Sequence, residues 1–589
     1  MQARSLLIAV AVVSQIAQPA RSAERRAFAV PPGPLGPVLR AVADRAGIAL
    51  GYDDALVRMR TSPGVAGYLT AAAALARALH GSDLRATEAG PGRFLIAPSR
   101  HLRPFAPAVT LPAGPSAPAP APAIVVTGSK RGVTQARFPG VAQIVVMGSG
   151  VASDTPRDSA DLADRTPVLQ STAFGTGRDK LFIRGIADSS FAGPTQATVG
   201  NYFGDSRLTY SGADPALRLV DMQQIEILEG PQGTLYGAGA IGGIIRLVPT
   251  APDATKTGGF VAADVAGTQG GHASDELSAT VNLPVVHGVA ALRLVGYQAH
   301  DGGYIDDPLL GRRSINDSNV DGGRAALRVA PDGDWSFDLI GIGQSIRTAN
   351  PQYALRGAGN LVEQAMLAQP YRDWIALGSA TVRRTREAGL NLLATIGGVR
   401  RDTQLRYDNT HAGGPPTAYD ERTASALVDG EIRIWQTMPS GSGWLVGVSA
   451  DENRVASRRQ LGPPTLQRPI SGVDNRALDL AAFGEGTLAL SPTFAITAGG
   501  RVTHARIDGE PLAARPQSPF VRGIAHTRFD PTLGMSYKMT SKLTWYARYA
   551  QGFRGGGLAV AAGAGRTATY EPDTILVAET GIRADGLFG

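Results

Sequence analysis

The chain contains no cysteine among its 589 residues. Disulfide frameworks, thiolate zinc sites, iron–sulfur clusters and cysteine nucleophiles are therefore excluded together. Histidine is scarce too: the eight present (His80, His101, His272, His287, His300, His411, His504 and His526) are too widely separated for a short histidine-based metal motif. No uninterrupted run of ~18 apolar residues occurs and mean hydropathy is −0.03, which rules out a helical membrane protein. The net charge of +7 comes from 57 basic and 50 acidic residues spread along the whole chain. No basic cluster with interleaved aromatics stands out, so nucleic acid is not an expected partner. Nor does any nucleophile–base pair or paired-carboxylate motif, and no enzyme, cofactor or bound metal is expected. In abundance instead are 73 glycines, in a chain several times the length of a typical domain.

Residues 1–23 read as a secretory signal peptide. Arg4 supplies the positive start, Leu6 to Val13 the short apolar run, and Ala20, Ser22 and Ala23 the small residues before cleavage, after Ser22 or after Ala23. Residues 24–100 read as a small α/β domain. Phe28 to Val30 is a short strand; Leu35, Leu39, Val42 and Ala46 recur at helical spacing, with Gly47 at the C-cap. Ile48 to Tyr52 is a second strand, Thr70 caps a helix over 71–79, and 84–87 and 94–97 close the unit. Residues 101–123 alternate proline with alanine, a composition that favours extended polyproline geometry and makes a semi-rigid spacer.

From residue 258 the side-chain period is two. Trp335, Phe337 and Leu339 alternate with Ser336, Asp338 and Ile340; Leu533, Met535 and Tyr537 alternate with Gly534, Ser536 and Lys538. Segments of about ten such residues between Gly/Asp/Pro turns are the pattern of a transmembrane β-barrel. In lipid every backbone polar group must be paired, so a closed sheet is the one non-helical way across. A soluble β-sandwich or propeller is the competing reading; the leader and the number of strands favour the barrel.

Between spacer and barrel runs Ile225-Glu226-Ile227-Leu228-Glu229-Gly230-Pro231-Gln232-Gly233-Thr234-Leu235-Tyr236-Gly237, followed by Gly242-Gly243-Ile244-Ile245. Gly237 to Gly242 satisfies GxGxxG, which ordinarily places a helix N-terminus against a pyrophosphate. Here the next residues, Ile244 to Val248, form a β-branched run ended by Pro249, so a strand follows and nucleotide binding is not expected.

This segment resembles the plug signature of TonB-dependent outer-membrane receptors, and Phe182-Ile183-Arg184-Gly185 resembles the plug strand that precedes it. The signature residues are Arg184, Gly185, Glu229, Gly230, Pro231, Gln232, Gly233, Tyr236, Gly237, Gly242 and Gly243. Glu229 stands where the family commonly carries arginine, reversing a charge beside the plug turn. Ile124-Val125-Val126-Thr127-Gly128 is similar to the family's TonB box, and residues 28–97 to its secretin/TonB short N-terminal domain. The resemblance implies a mainly β protein: a transmembrane antiparallel barrel (251–589) around an α+β plug (129–250), preceded by a small periplasmic α/β domain. It also implies a barrel of about 22 strands. The 339 residues after position 250 suffice for about 13 to 16, so the barrel is expected to be incomplete at its C-terminal end.

Function follows as an expectation from the same likeness. TonB of the inner membrane would pair with the β-branched residues 124–126 by strand addition and pull the plug open, with Thr127 and Gly128 ending the strand. Ile144-Val145-Val146-Met147-Gly148, similar in composition but without an adjacent spacer, reads instead as a plug strand. The small-molecule ligand would be a ferric siderophore or similar iron chelate, held by loops near 188–201 and by outer barrel loops. A glycan or aromatic nutrient, or a truncated remnant that does not transport, are the alternatives. The N-terminal domain would signal to an inner-membrane anti-sigma regulator from the periplasm, and the barrel wall would meet outer-membrane lipid.

Overall fold

The computed structural model describes residues 25–52, 54–90, 93–98, 125–147, 155–189, 193–386, 389–512, 521–561 and 566–584. The leader, the Pro/Ala spacer and Ile124 lie outside them. The chain divides into two compact units, residues 1–120 and 121–589.

The first unit is the α/β domain expected. Helix Leu35–Ala46 buries Leu35, Leu39, Val42 and Ala46, and ends at Gly47 in the left-handed conformation (φ +66°). Helix Ala71–Ala78 begins at Thr70, whose side chain accepts from the Ala73 amide. Strand Arg26–Val30 pairs antiparallel with Val65–Leu69; Arg93–Pro98 lies between Ala49–Gly51, to which it is parallel, and Leu84–Gly90. Leu39 and Leu75 are fully buried in the core that these elements share, so truncating either to alanine costs about 2–5 kcal/mol.

In the second unit a five-stranded sheet is built in the order Ala142–Val146, Met222–Glu229, Gly243–Pro249, Gln196–Phe203, Ser206–Ser211. Only the pairing of Gln196–Phe203 with Gly243–Pro249 is parallel. Ile225, Ile227, Leu228, Ile244 and Ile245 are all buried, which is why these strands read as continuous apolar runs rather than as alternations. The Gly237–Gly242 stretch is a turn between the single helical turn Gly233–Tyr236 and the strand Gly243–Pro249, so no helix follows it. Gly243 (φ +144°) is required where this strand begins: a Cβ there would lie 2.2 Å from the Leu228 carbonyl oxygen.

Around this plug runs one antiparallel sheet of fourteen strands, from Gly258–Gly267 to Asp573–Ala584, each paired with the next. A hairpin, Gly557–Ala561 with Arg566–Tyr570, is inserted before the last strand and buries Leu558 and Val560 against Val473 and Ile507. Fourteen falls within the number that the residue arithmetic allows. The strands Gly258–Gly267 and Asp573–Ala584 are the sheet's two edges, with no ladder joining them among the described residues.

Alternation sorts the wall into two faces. Val265, Leu339, Phe529 and Ile582 are exposed, as lipid-facing positions would be, whereas Asp429, Asp479 and Arg501 are buried toward the plug. A wall apolar outside and polar inside accounts for a mean hydropathy near zero.

Candidate functional site

The signature residues form the joint between plug and wall. After the strand Met222–Glu229 the chain turns through Gly230 and Pro231, and the Gln232 amide closes the turn by donating to the Glu229 and Gly230 carbonyls at 3.2 Å. Gly230 N donates to Gly242 O and Gly237 N to Gly233 O, tying the two ends of the motif together. Arg548 of the wall donates to Pro231 O (3.0 Å) and Gln232 Oε1 (3.2 Å). Gly233 lies so close to the wall that a Cβ would sit 2.5 Å from Gln551 O. Arg184, in the left-handed region (φ +54°) before Gly185, reaches both Glu229 and the wall residue Glu579 at 2.7 Å. The acid at 229 is thus matched: Arg184 carries a plug–wall ion pair across the position where the charge is reversed.

The segment expected to be the TonB box docks onto the same sheet. Val125–Val126 pairs with Val133–Thr134, and Val126 is fully buried. Thr127–Ser129 is a 3₁₀ turn. Its Thr127 and Gly128 amides donate to the Glu226 carboxylate (3.0 and 2.5 Å), and the Tyr236 hydroxyl donates to Gly128 O (2.8 Å). Glu226 is itself fully buried, and Arg246 Nη1 lies 3.8 Å from it. Arg246 meets Asp205 at 3.4 Å, Asp205 meets Arg433 of the wall at 3.0 Å, and Arg433 meets Glu431 at 2.6 Å. Glu431 in turn pairs with Lys130, closing a ring of charges that starts and ends in the N-terminal segment. Burial opposes ionisation of Asp205, yet Arg433, Arg246 and Arg383 hold its carboxyl well below the usual range. Every buried charge in the ring has an opposite partner, which buried ions require.

At the other end of the wall is a cavity of about 650 Å³. Arg131 donates to the Gly443 carbonyl, whereas Arg459, sixteen positions further along the same strand, lines the cavity. At ~3.4 Å per residue the two features are about 50 Å apart along the strand. The plug supplies the floor through Phe174, Arg178, Lys180, Pro194 and Gly212; the wall and its loops supply Tyr353, Tyr371, Tyr407 and Tyr419. Tyr353, Tyr407 and Tyr419 follow one another with ring centroids 6.1 Å apart. Burial holds the Lys180 ammonium below its ordinary value despite Asp188 at 2.9 Å. A cavity of this volume suits a small molecule, and its lining offers flat apolar faces with a few charged groups.

Of the 188–201 loop, Gly193 and Pro194 reach the cavity and Asp188 stands behind Lys180; residues 190–192 lie outside the described set. The stretch 174–180 and the four tyrosines went unnoticed in the sequence. The one local signal for them is the recurrence of tyrosine at 353, 371, 407 and 419, all near the ends of long strands.

A curved β-sheet wall around a plug, with a ligand-sized cavity at one end and a docked N-terminal segment at the other, is a plug-and-wall architecture. Residues 141–244 match the TonB-dependent Receptor Plug Domain, and residues 371–588 match the TonB dependent receptor-like β-barrel. The chain carries the plug and β-barrel domains of a TonB-dependent receptor. It is 24 % identical over 469 residues to the pesticin receptor of Yersinia pestis, covering 75 % of this chain and 65 % of that protein. The chain therefore spans just under two-thirds of that relative's length. In structure it is similar to the ferric yersiniabactin uptake receptor of Yersinia pestis (TM-score 0.66, 18 % identity, 76 % of this chain and 70 % of the other). The ferripyoverdine receptor of the outer membrane of Pseudomonas aeruginosa is also similar (TM-score 0.60, 16 % identity, 96 % and 75 %).

Proposed function

We propose that the receptor to which this plug and wall belong takes up a ferric siderophore or similar iron chelate across the outer membrane. The energy comes from TonB pulling on residues 124–128. The observation that supports this most is the arrangement of the N-terminal segment. Two β-branched residues pair with only two others, and the two residues that follow them, Thr127 and Gly128, donate to one carboxylate on the strand that leads into the plug turn. Such a segment is released by breaking few bonds, and once free it presents an edge for strand addition. Tension on it bears directly on the Glu226–Arg246–Asp205 ring, and so on the plug's grip on the wall. The relatives named for ferric yersiniabactin uptake and ferripyoverdine support an iron chelate as the ligand.

Residues 24–100 serve in this reading as a periplasmic short N-terminal domain that reports ligand occupancy to an inner-membrane anti-sigma regulator. A transcriptional reporter indifferent to removal of those residues would count against that role. For transport, residues 124–128 are deleted and chelate binding and radiolabelled iron uptake are compared in cells that depend on this receptor. Binding stays and energised uptake disappears; unimpaired uptake would refute the assignment. Uptake of a sugar or an aromatic compound in place of iron would replace the substrate and leave the mechanism standing.

A further inference from the structure

The charges lining the cavity do not balance. Lys180 is paired with Asp188 (2.9 Å), Arg401 with Asp373 (2.6 Å) and Arg459 with Glu421 (2.7 Å). Arg178 is different. It is buried, 7 % exposed, and among the described residues neither of its Nη atoms has a hydrogen-bond partner and no carboxylate lies within 4 Å. Its guanidinium sits among three tyrosine rings, 5.1 Å from the centroid of Tyr407, 5.3 Å from Tyr371 and 5.8 Å from Tyr353. The hydroxyls of those rings are already engaged: Tyr353 with Tyr407, and Tyr371 with the Gly177 carbonyl. The rings therefore offer their faces. Cation–π attraction offsets part of the cost of a buried, unpaired cation, but leaves its planar fork of N–H donors unsatisfied.

Resting on the uptake reading above, we propose that Arg178 selects the ligand by charge, binding a chelate of net negative charge through a carboxylate-type anion carried beside a flat ring. The two free Nη groups match a carboxylate edge as a planar fork, which a lysine's point charge does not reproduce. The tyrosine faces around the fork fit a flat conjugated ring on the same ligand. A ligand without the anion leaves the guanidinium desolvated and unpaired, so neutral and cationic chelates are rejected by the same group that holds the anionic one.

The test uses the whole chain in detergent and measures binding of the anionic 1:2 ferric salicylate complex, salicylate alone and a cationic ferric trihydroxamate by tyrosine and tryptophan fluorescence. The unaltered chain binds ferric salicylate in preference to the trihydroxamate. Arg178→Gln weakens binding of the ferric salicylate anion by about 10- to 100-fold, since a hydrogen bond between charged groups is worth roughly one to two decades, and the trihydroxamate, no longer opposed by the guanidinium, binds more tightly than to the unaltered chain. Arg178→Lys, which keeps the charge and serves as the test should the glutamine variant fail to fold, binds ferric salicylate with an affinity between those of the unaltered chain and Arg178→Gln. If Arg178→Gln and Arg178→Lys both bind all three probes within about twofold of the unaltered chain, the inference is overturned while the uptake reading stands. If salicylate binds equally with and without iron, and still through Arg178, the charge selection holds and the iron-chelate reading fails.

Discussion

Replacing Glu226 with glutamine should free the N-terminal segment without disturbing the wall. The Glu226 carboxylate accepts from the Thr127 and Gly128 amides, from the Thr127 hydroxyl and from the Gln224 side chain. Glutamine keeps the shape but has one acceptor oxygen in place of two and no charge. At least one backbone N–H of the 127–128 turn then loses its acceptor inside a buried site. Loss of one charge-assisted bond, with the donor left unpaired, costs about 2–3 kcal/mol. Arg246 keeps Asp205, so the rest of the ring is retained. The local opening equilibrium therefore shifts roughly 30- to 150-fold, at 1.4 kcal/mol per decade. Amide hydrogen exchange of the 125–130 segment reads this directly, with the wall strand Asn391–Asp408 as the internal reference. Exchange of 125–130 accelerated by less than about threefold, with the reference unchanged, would show that Glu226 is not what holds the segment.

Two further outcomes follow from the same arithmetic. Arg184→Ala leaves the buried Glu229 carboxylate with Gln143 alone, and should lower the stability of the solubilised chain by about 2–4 kcal/mol; adding Glu229→Gln should restore part of it, read as a thermal midpoint. Asp214 is buried, which pushes its carboxyl up to about 6 against the hydrogen bonds from Ser159 and Ala216. With the folded value raised, the group contributes stability that is present below pH ~4 and lost as pH rises to about 6, amounting to at most about 3 kcal/mol; Asp214→Asn should flatten that part of the pH profile.

Much of the architecture was legible because its signals are local. A glycine at 47 and a threonine at 70 mark helix ends through bonds made within a turn. The alternation of Leu533, Met535 and Tyr537 with Gly534, Ser536 and Lys538 reports a strand facing two media. The β-branched run before Pro249 was enough to set aside a dinucleotide loop. What stayed hidden is long-range. Thr127 and Glu226 are 99 residues apart, and nothing around either says that one caps the other. Arg184 answers the reversed charge at Glu229 from 45 residues away, so the position read as an anomaly until the two were seen side by side. Arg178 and its tyrosines are joined across up to 229 residues, from 178 to 407. An arginine without a partner looks like any other in sequence, because only the packed structure shows which acceptors are missing.

The claim at the centre is that the plug moves from its N-terminal end while the wall stays. The absence of native cysteine makes a direct test clean. A Cβ built on Gly534 of the wall would lie 2.8 Å from the Cβ of Pro139 in the plug, against a usual separation of about 3.8 Å across a disulfide, so Pro139→Cys with Gly534→Cys requires a shift of about 1 Å. With the bond formed, uptake should stop while ligand binding continues, and a reductant should restore uptake. Equal uptake with the bond shown intact would contradict the account, because the plug would then transport without leaving the wall at residue 139.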